Sequence, residues 1–197
     1  MPKIVNHEQK RKIIAEAAWS IIEKEGIEKA SIRRVATEAG MSPGALRHYF
    51  STKDEMLLFV IEYYLEMGKK RSDNKNWSDN PLQAVEEVLL ELVPIDQERK
   101  NEISVWWIFA LRSLTSEVLK DKKDEMTDGI YNLAASMIEI LALKEKLSDS
   151  VNVELEKSRL SALLEGLSFH TLLRPDLYTP TKVKEVIHYH IESLCKR

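Results

Sequence analysis

The chain has 197 residues, 44% of them hydrophobic, 31% charged and 7% aromatic, with a formal net charge of -3. Apolar content on that scale covers a sizeable core, which excludes intrinsic disorder for most of the length, and the length allows one domain or two small ones. A single cysteine, Cys195, excludes an internal disulfide framework and a Cys-based zinc cluster; the charged start MPKIVNHEQKRKII has no apolar signal region, and no uncharged apolar stretch approaches the ~18 residues of a membrane helix, so a cytoplasmic protein with no membrane partner is expected.

Six Gly and six Pro sit mostly at segment ends, which favours helices over a turn-rich β-sandwich. A first helix is predicted from a capping box, Asn6 with Gln9, through the repeat Ile13/Ile14, Ala17/Ala18 and Ile21/Ile22, closed by Lys24 and Gly26. Ser31 caps a second, short helix carrying Val35, Ala36 and Ala39, which Gly40 stops. Ser42-Pro43 opens a third helix of about two turns that ends near Phe50, with Pro at the first position, where its missing N–H is harmless. Thr52 with Glu55 launches a long fourth helix through Met56, Leu57, Val60, Ile61 and Tyr64.

A polar connector over 69–79 leads to a helix between Asn80-Pro81 and Pro94. Further helical segments are expected over 97–119, 124–146 and 152–173, the run Lys120-Asp-Lys-Lys-Asp-Glu125 reading as a solvated turn. Arg174-Pro175-Asp176 breaks the chain, and Thr179-Pro180 caps a last helix to about Leu194. The fold class expected is therefore all-α, about nine helices: a three-helix helix-turn-helix domain over 1–53 and a larger helical bundle over 54–197.

The stretch from Ser31 to Phe50 carries the functional signal. Two short helices joined by a tight turn at Gly40 make a helix-turn-helix when the first braces the second across a major groove. Val35, Ala36 and Ala39 supply small apolar surface, while Met41, Leu46 and Phe50 can turn inward. That leaves Ser42, Pro43, Gly44, Ala45, Arg47, His48 and Tyr49 outward, and small residues at a helix tip let the backbone approach base edges or a phosphate. Arg33, Arg34 and Lys53 can meet phosphates, which give affinity and register; a solvated surface position is the other reading of Arg34, and of Lys10-Arg11-Lys12. Charge is consistent with this: residues 1–54 hold ten Lys/Arg against seven Asp/Glu, and residues 55–197 hold 19 against 25.

The run G-M-S-P-G-A-L-R-H-Y-F-x-x-K-D-E-M-L, preceded by A-S-I-R-R-V-A, resembles the DNA-binding domain of TetR-family transcriptional regulators, and its H-Y-F form is most similar to the BetI-like branch. The resemblance implies phosphate contacts at Ser31, Tyr49 and Lys53 and base or near-base contacts at Arg33, Pro43, Gly44 and Ala45, with His48 a possible addition. Arg47 departs from the family, in which many members have Tyr there. The resemblance also implies a homodimeric repressor on palindromic double-stranded operator DNA, released by a small-molecule effector of unknown identity, with the last two helices packed on their twins. Leu160, Leu163, Leu167, Val183, Ile187, Ile191 and Leu194, at three- and four-residue spacing, are the candidate dimer residues; burial in the protomer's own core is the alternative.

Trp106, Phe109 and Arg112 share a helix and, with Tyr131, Glu165 and His170, can line a ligand cavity or serve as ordinary core. His188 and His190, two apart, point in different directions on a helix, and no metal or cofactor is expected. The sequence offers no G-x-S-x-G, P-loop, dinucleotide fingerprint or His/carboxylate metal motif, so an enzyme is not expected. A ligand-independent DNA-binding or protein-interaction module is the rival function.

Overall fold

The computed structural model describes residues 5–196, with side chains described from Gln9 onward. Among these residues the chain forms nine α-helices: α1 Val5–Glu25, α2 Ile32–Glu38, α3 Pro43–Arg47, α4 Lys53–Asp73, α5 Pro81–Leu89, α6 Gln97–Ser113, α7 Glu117–Leu143, α8 Val153–Leu173 and α9 Pro180–Leu194. Two 3-10 turns, Ile27–Lys29 and Leu90–Leu92, connect them, and an isolated antiparallel bridge joins Leu147 to Cys195. No helix of the described residues is long and apolar enough to cross a membrane.

The helix starts follow from their caps. Ser31, Ser42, Asn80, Asn152 and Thr179 each accept a backbone N–H of the first turn through the side chain, and Pro follows directly at Pro43, Pro81 and Pro180. The cap expected at Asn6 lies outside the described side chains. At α4 the box is shared: Thr52 accepts from the Glu55 N–H at 3.1 Å, while the Glu55 carboxylate reaches back to the Ser51 N–H at 2.7 Å.

The elements differ from expectation at several points. The fourth helix runs on through Asp73, so residues 69–73 of the expected polar connector are helical, a stretch with neither Gly nor Pro to stop it. The third helix is one turn shorter than predicted, because the chain after Arg47 enters a turn in which the Tyr49 and Phe50 N–H groups both bond the Leu46 carbonyl. The run Lys120–Glu125 lies inside α7, not in a turn. The corner falls earlier, at residues 114–116, where Ser113 and Thr115 hydroxyls bond the Ala110 and Arg112 carbonyls at 2.6 and 3.1 Å and draw the backbone out of the helix. Lys and Glu are good helix formers, and the 120–125 run contains neither Gly nor Pro.

The described chain divides into two compact units. Unit 1 comprises the residues up to Lys69 with Val105–Lys123; unit 2 comprises Lys70–Ser104 and the residues from Asp124 on. Compactness thus draws the line inside α4, α6 and α7, whereas the motif-based division falls at 53/54. In unit 1 the core is Ile14, Ala18, Ile21, Val35, Ala36, Leu46, Met56, Leu57, Val60, Ile61, Phe109 and Leu119, all buried. Each large apolar side chain so buried contributes about 1.5–3 kcal/mol.

Unit 2 encloses a second core, built by α5, α7, α8 and α9 around Leu89, Ile138, Leu141, Leu160, Leu164, Ile187 and Ile191. This corrects six of the seven dimer residues read from spacing; the seventh, Leu163, is only partly buried. Leu160, Leu167, Val183, Ile187, Ile191 and Leu194 are at most 4% exposed and belong to this core, with Leu163 packed at its edge. A side chain already surrounded by its own protomer has no area left for a twin. Beside this core, Arg71 joins Glu91 and Glu102 while Lys75 and Arg99 also converge on Glu91, a charge network within unit 2.

Candidate nucleic-acid interface

Unit 1 positions the expected DNA-reading motif as the sequence pattern requires. Val35 and Ala36 of α2 face the core, Leu46 of α3 is fully buried, and Phe50 packs its ring 4.9 Å from that of Phe59 on α4. The turn between α2 and α3 depends on Gly40, whose φ of +66° is a left-handed conformation that side chains other than Gly rarely adopt. Ser42 Oγ then accepts the Ala45 N–H at 3.1 Å, so the tip of α3 is capped and fixed.

The outward set is also as expected. Ser42, Pro43, Gly44, Arg47 and His48 are exposed, Tyr49 is 40% exposed, and Ala45 is half-buried. A Cβ added at Gly44 would meet nothing within 4 Å, so this face of the tip is open. Nearby, Ser31 caps α2 by accepting the Arg34 N–H at 3.2 Å, and Arg33 is exposed.

The cations differ in how committed they are. Arg34 donates to Glu25 at 2.8 Å and sits 3.7 Å from Glu38, so it ties α2 to α1. Lys53 lies 3.1 Å from Glu28, a carboxylate that is itself 82% exposed and easily exchanged for another anion. Arg11 reaches Glu66 at 3.3 Å and lies over the Phe59 ring, packing α1 on α4. Lys12 lies 3.8 Å from Glu16 on its own helix.

Asp54 went unremarked in the sequence, because its partners lie far along the chain. Its carboxylate accepts the Ser116 hydroxyl at 2.6 Å and Arg112 Nε at 3.0 Å. Burial would push the Asp54 carboxyl up, but hydrogen bonds from Ser116 and Arg112 outweigh it and hold the group below its usual range. Arg112, expected as a ligand anchor, is therefore engaged by a carboxylate within unit 1.

The other candidate ligand residues are divided between the units. Trp106 and Phe109 stack at 6.1 Å in unit 1, where Phe109 is fully buried and Trp106 is buried. Tyr131, Glu165 and His170 belong to unit 2. There, Tyr131 is exposed, His170 stacks on Tyr178 at 5.3 Å, and burial alone pushes the Glu165 carboxyl above its ordinary value. His188 is exposed and pairs with Glu86 at 2.8 Å, whereas His190 is buried with Nε2 3.7 Å from Glu156. Among the described residues no group of three or more His, Cys, Asp or Glu side chains could hold a metal ion.

On the outer side of α8 and α9, in unit 2, Arg159, Ala162, Leu163, Val186, Tyr189, His190 and Ser193 line an open cleft of about 440 Å³. Leu155, Leu173 and Tyr189 are 67%, 58% and 76% exposed on these two helices. Side chains of this size standing in water mark a surface that a partner can cover.

Comparison with known proteins agrees with this architecture. Residues 14–60 match the family model of bacterial regulatory proteins of the tetR family, and residues 81–196 match that of the BetI-type transcriptional repressor C-terminal domain. The chain is 39% identical over 196 residues to the HTH-type transcriptional regulator PksA of Bacillus subtilis (strain 168), covering 99% of this chain and 94% of that protein. A transcriptional regulator from Rhodococcus sp. Rha1 superposes with a TM-score of 0.77 at 26% identity, covering 93% of this chain and 95% of its own. The same fold, with a TM-score of 0.80 at 20% identity over 96% and 99% of the two chains, occurs in a regulator from Saccharomonospora viridis solved in complex with choline. With a capped, small-residue helix tip exposed beside basic side chains and both family models matched in order, the chain belongs to the TetR family of DNA-binding transcriptional regulators and carries a BetI-type C-terminal domain.

Proposed function

We propose that the protein is a homodimeric repressor whose two α3 tips read a palindromic operator and whose grip a small-molecule effector releases. The observation that carries this reading is the tip itself: Pro43, Gly44 and Ala45 stand capped by Ser42, with open space at Gly44 and Arg47, His48 and Tyr49 exposed alongside. Bulk-free backbone can enter a major groove, where base edges differ, while flanking cations meet phosphates. Pro43, Gly44, Ala45 and Arg33 are assigned to base edges, with His48 and Arg47 beside them; Ser31, Tyr49 and Lys53 are assigned to phosphates. Ser31 spends its acceptor on a cap and keeps its hydroxyl proton for a phosphate oxygen. Arg34 would have to leave two carboxylates to reach DNA and serves the brace.

A dimer places two tips about one helical turn apart and multiplies a weak single contact. The outer side of α8 and α9, with its cleft and exposed Leu155, Leu173 and Tyr189, is the surface proposed for the twin, in place of the core leucines. For the effector, Glu165 is the anchor proposed, because a carboxylate disfavoured by burial gains most from a cationic ligand, and a structural relative is bound to choline.

Selection of bound fragments from genomic DNA, followed by footprinting, tests the reading. A protected palindrome supports it, and the absence of any enriched sequence overturns it. Choline at millimolar concentration should raise the melting temperature of the wild type and not of Glu165→Gln. An equal shift in both proteins removes Glu165 from the effector site, and no shift in either removes choline from the candidate ligands.

A further inference from the structure

The first turn of α4 binds in two directions at once. Lys53 pairs with Glu28 at 3.1 Å and Glu55 bonds the Ser51 N–H at 2.7 Å, both toward the segment that carries α2 and α3. Asp54, between them and one helical step round, instead accepts Ser116 Oγ at 2.6 Å and Arg112 Nε at 3.0 Å. Ser116 is 8% exposed and the Asp54 side chain 16%, so the Ser116–Asp54 bond is sheltered from water and worth more than a surface pair, while the Arg112 side chain is 41% exposed and its pair with Asp54 is partly solvated. All these residues belong to unit 1, and only Ser51 and Thr52 separate Lys53 from Phe50 at the end of the recognition segment.

Arg112 lies in the last turn of α6, and Ser116 immediately precedes α7. Any shift of the corner between α6 and α7 must move the two donors of Asp54, and hence the turn from which α3 hangs. Pulling the buried Ser116 hydroxyl away from Asp54 is costly, since it leaves a desolvated donor without a partner. We propose that Asp54 is a positioning residue for DNA recognition: its bonds to Ser116 and Arg112 set the pose of the first α4 turn, and the corner thereby sets the affinity of α3 for its operator. The inference rests on the reading of α3 as the DNA-reading helix and names the residues through which that reading is regulated.

The test uses the full-length protein and three variants, Ser116→Ala, Arg112→Met and the double substitution. Amide hydrogen exchange across residues 43–56 reads the pose without DNA. Titration of a selected genomic fragment and of a shuffled duplex reads its consequence. Each single variant should exchange faster at residues 43–56 and lose about 5- to 10-fold in affinity for the selected fragment, with the shuffled duplex bound as before. The double variant should fall short of the product of the singles, because both donors act through one carboxylate. Ser116→Ala removes one oxygen atom, so it keeps the test open if Arg112→Met fails to fold. Wild-type exchange at residues 43–56 in Ser116→Ala overturns the proposal, as does an equal loss on both duplexes. A wild type that ignores all fragments overturns the DNA reading itself, whereas a wild type that discriminates alongside variants that match it overturns only the role of Asp54.

Discussion

Tyr49 and Lys53 stand at the edge of the exposed tip, the first 40% exposed and the second paired with Glu28, whose side chain is 82% exposed. Tyr49→Ala and Lys53→Ala should each weaken binding to every duplex, and Lys53→Ala should lower the slope of log affinity against log salt by about 1. A salt series on selected and shuffled duplexes checks this; unaltered slope and affinity in both variants would strip them of phosphate contact. Arg33→Ala should instead relax sequence preference, and a uniform loss would move Arg33 to the phosphates. In unit 2, Glu91 takes Arg71, Lys75 and Arg99 at 2.8, 2.9 and 2.5 Å while only 10% exposed. Burial would push this carboxyl up, but hydrogen bonds from Arg99, Arg71 and Lys75 bring it down to about 2, against an ordinary value of 4.5. A depressed folded-state pKa stabilises above the unfolded value and loses that contribution as pH falls, here between about 4.5 and 2. Glu91→Gln should therefore destabilise by about 3 kcal/mol at neutral pH and flatten the acid limb of the stability curve in that window; denaturation across pH measures both. Exposure of single residues was legible from patterning, since Val35, Leu46 and Phe50 turn inward at helical spacing. Pairings such as Asp54 with Arg112 were not, because 58 residues of chain separate them and no local period encodes them.

Caps explain why element starts were legible. Ser31, Ser42, Asn80, Asn152 and Thr179 all stand where a side-chain oxygen can take an orphan N–H, and that chemistry is local. For α3, only five residues long, the cap is a large share of what orders it. Ser42→Ala should cost about 1 kcal/mol and weaken specific DNA binding in proportion, as chemical denaturation and titration would show; unchanged values would mean that packing of Leu46 alone holds the helix. Gly40→Ala meets no steric obstacle at its Cβ, yet must adopt a left-handed φ, so a loss of about 1–2 kcal/mol is expected from the backbone alone. Element ends were less legible. The charged run 120–125 looked like a turn, but its residues suit a helix, and the real corner was written in the hydroxyls of Ser113 and Thr115. Likewise α3 stops at Arg47 because Leu46 takes two N–H groups into a turn, a choice made by the burial of Phe50 and not by any breaker residue.

At the scale of the whole molecule, fold class and family were legible because nine helices and a specific motif leave few alternatives, while the assignment of faces was not. Amphipathic stripes on α8 and α9 look the same whether they bury against α5 and α7 or against a twin; the filled core of unit 2 decides for the former. The twin is therefore expected on the outer side, where Ala162 offers close approach and Tyr189 stands 76% exposed. Ala162→Arg or Tyr189→Arg should leave the fold intact and convert dimer to monomer in sedimentation, with operator affinity falling as the second half-site contact is lost. Dimers persisting in both variants would relocate the interface. The most direct measurement of the central claim is the number of chains bound per duplex, together with the preference for a selected palindrome over its shuffled sequence, at a fixed physiological salt concentration. Chains bound in pairs, with a preference of at least about 10³, are the predicted result. One chain per duplex, or equal affinity for both sequences, would contradict it.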